Sequence, residues 1–207
     1  MNTFNIILEI VGTFAFAVSG IKTASSKNFD WFGAYVVGVA TAIGGGTIRD
    51  IMLGLPIFWK RNPFYLIISA LALVYGILQH RYKSTSKQRK TILLFDTLGL
   101  ALFTIVGIQK TEQLGFPFWT AIIMGTITGA AGGVMRDVLV GTVPLIFRKE
   151  IYAMACIFGG IVYFICKEVG LDTMICTATA GIGVIALRYL AIRFHLSLPV
   201  LREDDDK

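Results

Sequence analysis

Inside an apolar stretch running from Trp31 to Leu53, three consecutive glycines are followed by Thr-Ile-Arg-Asp, so that residues 44–50 read Gly-Gly-Gly-Thr-Ile-Arg-Asp. Glycine weakens a helix by about 1 kcal/mol relative to alanine. Charges at hydrocarbon depth are expensive and are usually retained for function. The pattern returns as Gly132-Gly133-Val134-Met135-Arg136-Asp137. A chain that interrupts two apolar stretches in the same way has few folds open to it.

The apolar stretches themselves set the class. The 207 residues are 55% hydrophobic and 15% charged, with a mean hydropathy of +0.71. Soluble domains are about 25% charged. Seven stretches have the length that crosses a bilayer: Phe4–Ile21, Trp31–Leu53, Pro63–Gln79, Thr91–Gln109, Phe116–Val140, Glu150–Cys166 and Leu171–Ile192. The chain therefore reads as an all-α polytopic membrane protein with seven transmembrane helices. Residues 1–192 form one transmembrane domain, and 193–207 form a polar C-terminal tail. The first span lacks a positive flank and a cleavage site, so it is a permanent span rather than a signal peptide.

The net charge of +6 does not indicate nucleic-acid binding, because the basic residues lie in short segments between apolar stretches. The polar connection from His80 to Lys90 holds five of them and is placed in the cytoplasm. The count is then thirteen basic residues inside against four outside, which puts the N-terminus outside and the C-terminus in the cytoplasm. Cys156, Cys166 and Cys176 do not share a helical face and match no metal pattern, so they read as small apolar residues. His80 and His195 read as interfacial. No cofactor, no tightly bound metal and no catalytic constellation is expected, and the chain is not read as an enzyme.

Arg136 lies 87 positions after Arg49, and the same offset aligns much of the chain. It carries Glu9 to Asp96, Gly12 to Gly99, Phe16 to Phe103, Gly20 to Gly107 and Gly38 to Gly125. It also carries Thr41 to Thr128, Asp50 to Asp137, Gly54 to Gly141, Arg61 to Arg148 and Tyr65 to Tyr152. The repeats span about 4–79 and 91–166. Each holds three spans, an odd number, so the second enters the membrane inverted. The extra helix, about 171–192, has no counterpart.

Helices 2 and 5 of the seven are expected to be broken at their glycines. A bend frees carbonyls that suit a cation, and the inverted symmetry brings the two bends together. Thr41, Thr47 and Thr128 are candidate hydroxyl ligands beside Gly44, Gly45, Gly46, Gly132 and Gly133. Packing of small residues is the simpler role for the glycines. Adjacent residues on a helix do not face each other, so Arg49 is expected to pair with Glu9 and Arg136 with Asp96, with Arg–Asp pairing across the bundle as the other arrangement. Such pairs act as locks or tune a pore's field, and a charge moved through the field contributes about 2.3 kcal/mol per 100 mV. Lys22 and Lys110 are expected to snorkel or to stand at a pore mouth. Pro56 and Pro144 are expected to end the long helices.

The two Gly-Arg-Asp motifs and the three-plus-three-plus-one plan resemble the trimeric intracellular cation channel (TRIC) family, in its prokaryotic branch, from Phe4 to about Ile192. The resemblance implies a homotrimer with a pore in each subunit, lined by the second and fifth spans and permeable to potassium and other monovalent cations. The motif positions carried over are Gly44, Gly45, Gly46, Arg49, Asp50, Gly132, Gly133, Arg136 and Asp137. No basic lipid-binding motif of the animal type is found, which speaks against phosphoinositide dependence. No lysine-rich C-terminal extension of that type is found either, which points to a bacterial plasma membrane rather than a reticulum; further copies of the chain and membrane lipids are the expected partners. The alternative is a secondary transporter of a small solute such as an amino acid.

Overall fold

The structure is a computed structural model and describes residues 3–80, 85–147, 151–194 and 196. The chain is all-α among these residues. The helices are α1 (Thr3–Ser26), α2 (Trp31–Met52), the short α3 (Phe58–Arg61), α4 (Phe64–His80), α5 (Thr85–Gln113), α6 (Phe118–Leu139), α7 (Ala153–Glu168) and α8 (Thr173–Arg193), with one turn of 3₁₀ helix at Leu145–Phe147. Five of them, α1, α2, α5, α6 and α8, are long and apolar enough to cross a membrane, and α4 is a shorter apolar helix. Large apolar side chains such as Ile67, Leu71, Leu78, Ile165 and Ile182 lie exposed on the outside, as a lipid-facing surface requires. Glu150, Arg148, His195 and the tail from 197 onward lie outside the described residues, as do Arg81 and Lys83.

Two helix boundaries differ from expectation because helices need not stop at the bilayer surface. α1 continues to Ser26, and α5 begins at Thr85, inside the stretch expected to be a loop. The long helices are ended by glycine rather than by Pro56 and Pro144. In α2 the Leu55 N–H donates to the Asp50 carbonyl (2.7 Å) and the Gly54 N–H to that of Ile51 (3.2 Å), with Gly54 at φ +66°. α6 ends in the same way at Thr142, Gly141 and Asp137, with Gly141 at φ +68°. This double bond around a left-handed residue is the Schellman arrangement, and glycine adopts it without a side-chain clash.

Helices α1 and α5 pack against each other at the centre, with α2 and α4 beside α1 and with α6, α7 and α8 around α5. Phe16 stacks on Phe103 at 5.4 Å, and each ring fills the space beside a glycine of the opposite helix: Phe103 against Gly12, Phe16 against Gly99. Reciprocal contacts of this kind are what a two-fold relation produces.

The helical run is continuous through Gly44–Gly46 in α2 and through Gly132–Gly133 in α6, so any bend at these glycines stays within a helix. The glycines serve close approach. A methyl group on Gly45 would lie 2.0 Å from the Thr128 carbonyl oxygen, and one on Gly132 would lie 2.3 Å from that of Thr41. α2 and α6 therefore cross backbone to backbone, which side chains at these positions would forbid.

Candidate functional site

The crossing of α2 and α6 is closed by direct contact. Gly44 faces Met135 of α6, Gly46 faces Phe58, and Gly133 faces the Tyr152 hydroxyl. The candidate hydroxyls donate to their own helices: Thr41 to Val37 O (2.6 Å), Thr128 to Met124 O (2.6 Å) and Thr47 to Ile43 O (2.7 Å). Their oxygens keep acceptor capacity, and Thr47 uses it on the Trp59 indole N–H at 3.0 Å.

Beyond the glycines on each helix lies a buried cluster of charge. In the first, the Arg49 guanidinium binds its chain neighbour Asp50, with Nε at 2.9 Å and Nη2 at 2.7 Å from Oδ1. Glu9 is held by the Tyr65 hydroxyl and by Lys110 Nζ at 2.5 Å. The expected Glu9–Arg49 ion pair is thus replaced by Arg49–Asp50 and Glu9–Lys110. A long arginine chain curls back onto the adjacent carboxylate, and in a dry interior that partner outweighs unfavourable helical spacing. Phe58 lies under both cations, with its ring centroid 5.8 Å from Arg49 and 5.5 Å from Lys110, a cation–π arrangement.

In the second cluster Arg136 reaches Asp96 at 2.5 Å, the expected pairing, and also binds Asp137 through Nε at 2.8 Å. Its Nη1 also donates to the Ser19 hydroxyl at 2.7 Å. Arg188 of α8 stands 3.8 Å from the other Asp96 oxygen and 4.7 Å over the Tyr152 ring. All three arginines are at most 1% exposed. Each cluster then holds two carboxylates and two cations and is electrically neutral. Burying a lone ion is prohibitive, whereas a matched set is tolerated.

Both aspartates also bind a loop. Asp50 Oδ2 accepts the Phe58 N–H at 2.9 Å, and Asp137 Oδ2 accepts the Leu145 N–H at 3.0 Å. The 87-residue offset is therefore visible in contacts as well as in letters.

Sequence reasoning missed two cations. Arg188 is one of the thirteen basic residues on the inner side of the count, yet it lies within the apolar α8, and that position is its signal. Lys110 was assigned to the interface, yet it is bound to buried Glu9. Tyr65 and Tyr152 marked the register without a role, and each now faces a cluster.

The packing and the buried charge define an integral membrane protein built on two neutral ion clusters. A family model described as "Glycine transporter" matches residues 6–81 and again 93–168. The UPF0126 inner membrane protein YadS of Escherichia coli K12 is 38% identical over 203 residues, covering 96% of this chain and 97% of that protein. A solved TRIC orthologue from Rhodobacter sphaeroides superposes with a TM-score of 0.88 at 31% identity, covering 94% of this chain and all of the other. A prokaryotic TRIC channel solved in 0.5 M KCl also gives 0.88, at 30% identity and with 96% and 100% coverage. The chain belongs to this family, the prokaryotic branch of the trimeric intracellular cation channels.

Proposed function

We propose that this protein is a potassium-permeable monovalent cation channel of the bacterial plasma membrane. The observation that carries the reading is the likeness to solved cation channels over their whole length, at a TM-score of 0.88. In this reading seven spans form two inverted repeats of 4–79 and 91–166 and an extra helix. Each subunit of a homotrimer has its own path along α2 and α6. The residues proposed for the path are Thr41, Thr47, Thr128, the motif glycines 44–46 and 132–133, and the Arg-Asp pairs at 49–50 and 136–137. Glu9 and Asp96 act as charge partners.

The ion clusters support the reading because a neutralised arginine does not repel a passing cation, whereas an unpaired one is a barrier of several kcal/mol at low dielectric. In this reading the backbone contact of α2 and α6 closes the path. Conduction requires the two glycine faces to part, exposing the Thr41 and Thr128 carbonyls now pressed against them. The N-terminus lies outside: with Lys22, Arg188 and Lys110 placed within the bundle, the flanks still hold eleven basic residues inside against three outside.

One observation favours a second reading. The matching family model is described as a glycine transporter, and alternating contact between inverted repeats also suits a carrier. Purified protein in a planar bilayer across a KCl gradient decides between them. Unitary current steps with a reversal potential near that of potassium are expected. Saturable glycine uptake into proteoliposomes without unitary currents would replace the channel by a carrier.

A further inference from the structure

Where α1 ends and α2 begins, a cavity of about 460 Å³ opens between these two helices and α4. Ile21, Lys22, Ser25, Asn28, Trp31 and Gly76 are among its walls. Lys22 is 8% exposed, and its Nζ donates to the Gly76 carbonyl at 3.5 Å, a long contact for a hydrogen bond. No carboxylate lies within ion-pair distance of it among the described residues. The nearby Asp30 spends its carboxylate on the Gly33 N–H at 2.6 Å, capping α2. The other buried cations of this bundle all sit with carboxylates; this one faces a cavity with a hydroxyl, an amide and apolar walls around it.

The second half of the chain shows what the same place looks like when filled. The 87-residue offset carries Lys22 to Gln109, Ser25 to Glu112, Gly76 to Tyr163 and Ile77 to Phe164. There Gln109 donates to Thr177 of α8 at 2.7 Å, the buried Tyr163 donates to Glu112 at 3.0 Å, and Phe164 packs against Phe118 and Tyr163. Aromatic rings and α8 plug that end, and the cation there, Lys167, is paired with Glu112. The first end keeps both the room and the unbalanced charge.

We infer that this cavity binds an oxyanion of the phosphate type, in the first instance the headgroup phosphate of an anionic phospholipid. Lys22 supplies the charge, and Ser25 and Asn28 supply hydrogen bonds. Trp31, 72% exposed at the rim, sits where tryptophan anchors a helix at the headgroup level, so a lipid can enter sideways with its chains against Phe29 and Leu73.

The test measures thermal unfolding of the full-length protein in neutral detergent with added phosphatidylglycerol, phosphatidylcholine or inorganic phosphate. Phosphatidylglycerol is expected to raise the unfolding temperature by several degrees and phosphatidylcholine not to. The rise should vanish in Lys22→Gln, survive in Lys22→Arg and survive in Lys60→Gln, an exposed lysine elsewhere. An equal, Lys22-dependent rise with inorganic phosphate keeps the site and makes its ligand the free ion. No rise with either probe, or the same rise in Lys22→Gln, overturns the site. If Lys22→Gln does not fold, Gly76→Tyr decides: it keeps the lysine and fills the cavity as the second half does, so a retained rise there also overturns it.

Discussion

Arg136 holds two carboxylates and a hydroxyl at once, and Asp96 stands between it and Arg188. Removing Asp96 would leave two buried guanidiniums without the charge that separates them. Breaking a buried pair in this way costs about 3–5 kcal/mol. Asp96→Ala is therefore expected to lower unfolding stability by that amount in detergent, and adding Arg188→Gln to recover part of it. Equal stability of Asp96→Ala and wild type would show the cluster to be energetically idle. Arg49→Gln is expected to be milder, since Asp50 keeps its bond to the Phe58 N–H. At this scale the sequence disclosed the two Arg-Asp pairs, Glu9 and Asp96 as charges at depth, and one of the two expected pairings. It did not disclose that Arg49 folds back on Asp50, because side-chain length and dryness override helical spacing there. Nor did it disclose Lys110 and Arg188 as members, because a basic residue near a span's end looks the same whether it points outward or inward.

Apart from the extended ends of α1 and α5, the apolar helices were legible to within a few residues, because bilayer thickness sets apolar length. What the glycines do was not. A glycine run signals a bend and a tight crossing equally well, and only the partner backbone tells them apart. With Thr128 O and Thr41 O so close to Gly45 and Gly132, Gly45→Ala and Gly132→Ala are expected to force α2 and α6 apart. Loss of monodisperse protein, or an unfolding temperature lowered by many degrees, is the readout; a folded and unchanged Gly132→Ala would remove the close crossing. The end caps give a smaller, separable effect. Gly54 and Gly141 have open space around them but a left-handed backbone. Alanine at either is expected to cost about 1–2 kcal/mol without changing the packing.

For the whole molecule, the distribution of ion pairs says where voltage can act. Arg49 and Asp50 ride on one helix, so their joint movement carries no net charge. Glu9–Lys110 joins α1 to α5, Asp96–Arg136 joins α5 to α6, Asp96–Arg188 joins α5 to α8 and Glu112–Lys167 joins α5 to α7; pairs of this kind separate when helices part. A charge crossing the full field contributes about 2.3 kcal/mol per 100 mV. If the protein conducts, Lys110→Gln and Arg136→Gln are expected to change the steepness of its current–voltage curve, and Arg49→Gln to leave it near wild type. A larger change in Arg49→Gln would place the moving charge elsewhere. The three-fold assembly proposed above predicts a trimer mass in detergent and on cross-linking; a monomer under both would remove it.

Asp50 and Asp137 each grip a guanidinium with one oxygen and a surface loop with the other. A single carboxylate is thereby a tether from deep inside the bundle to its rim. Pulling an arginine aside must tug the segment around Phe58 or Leu145, so a disturbance at either buried charge is passed on to the segment its aspartate holds. By the same linkage, a molecule that clamps either segment would have leverage on the buried charge without ever entering the membrane.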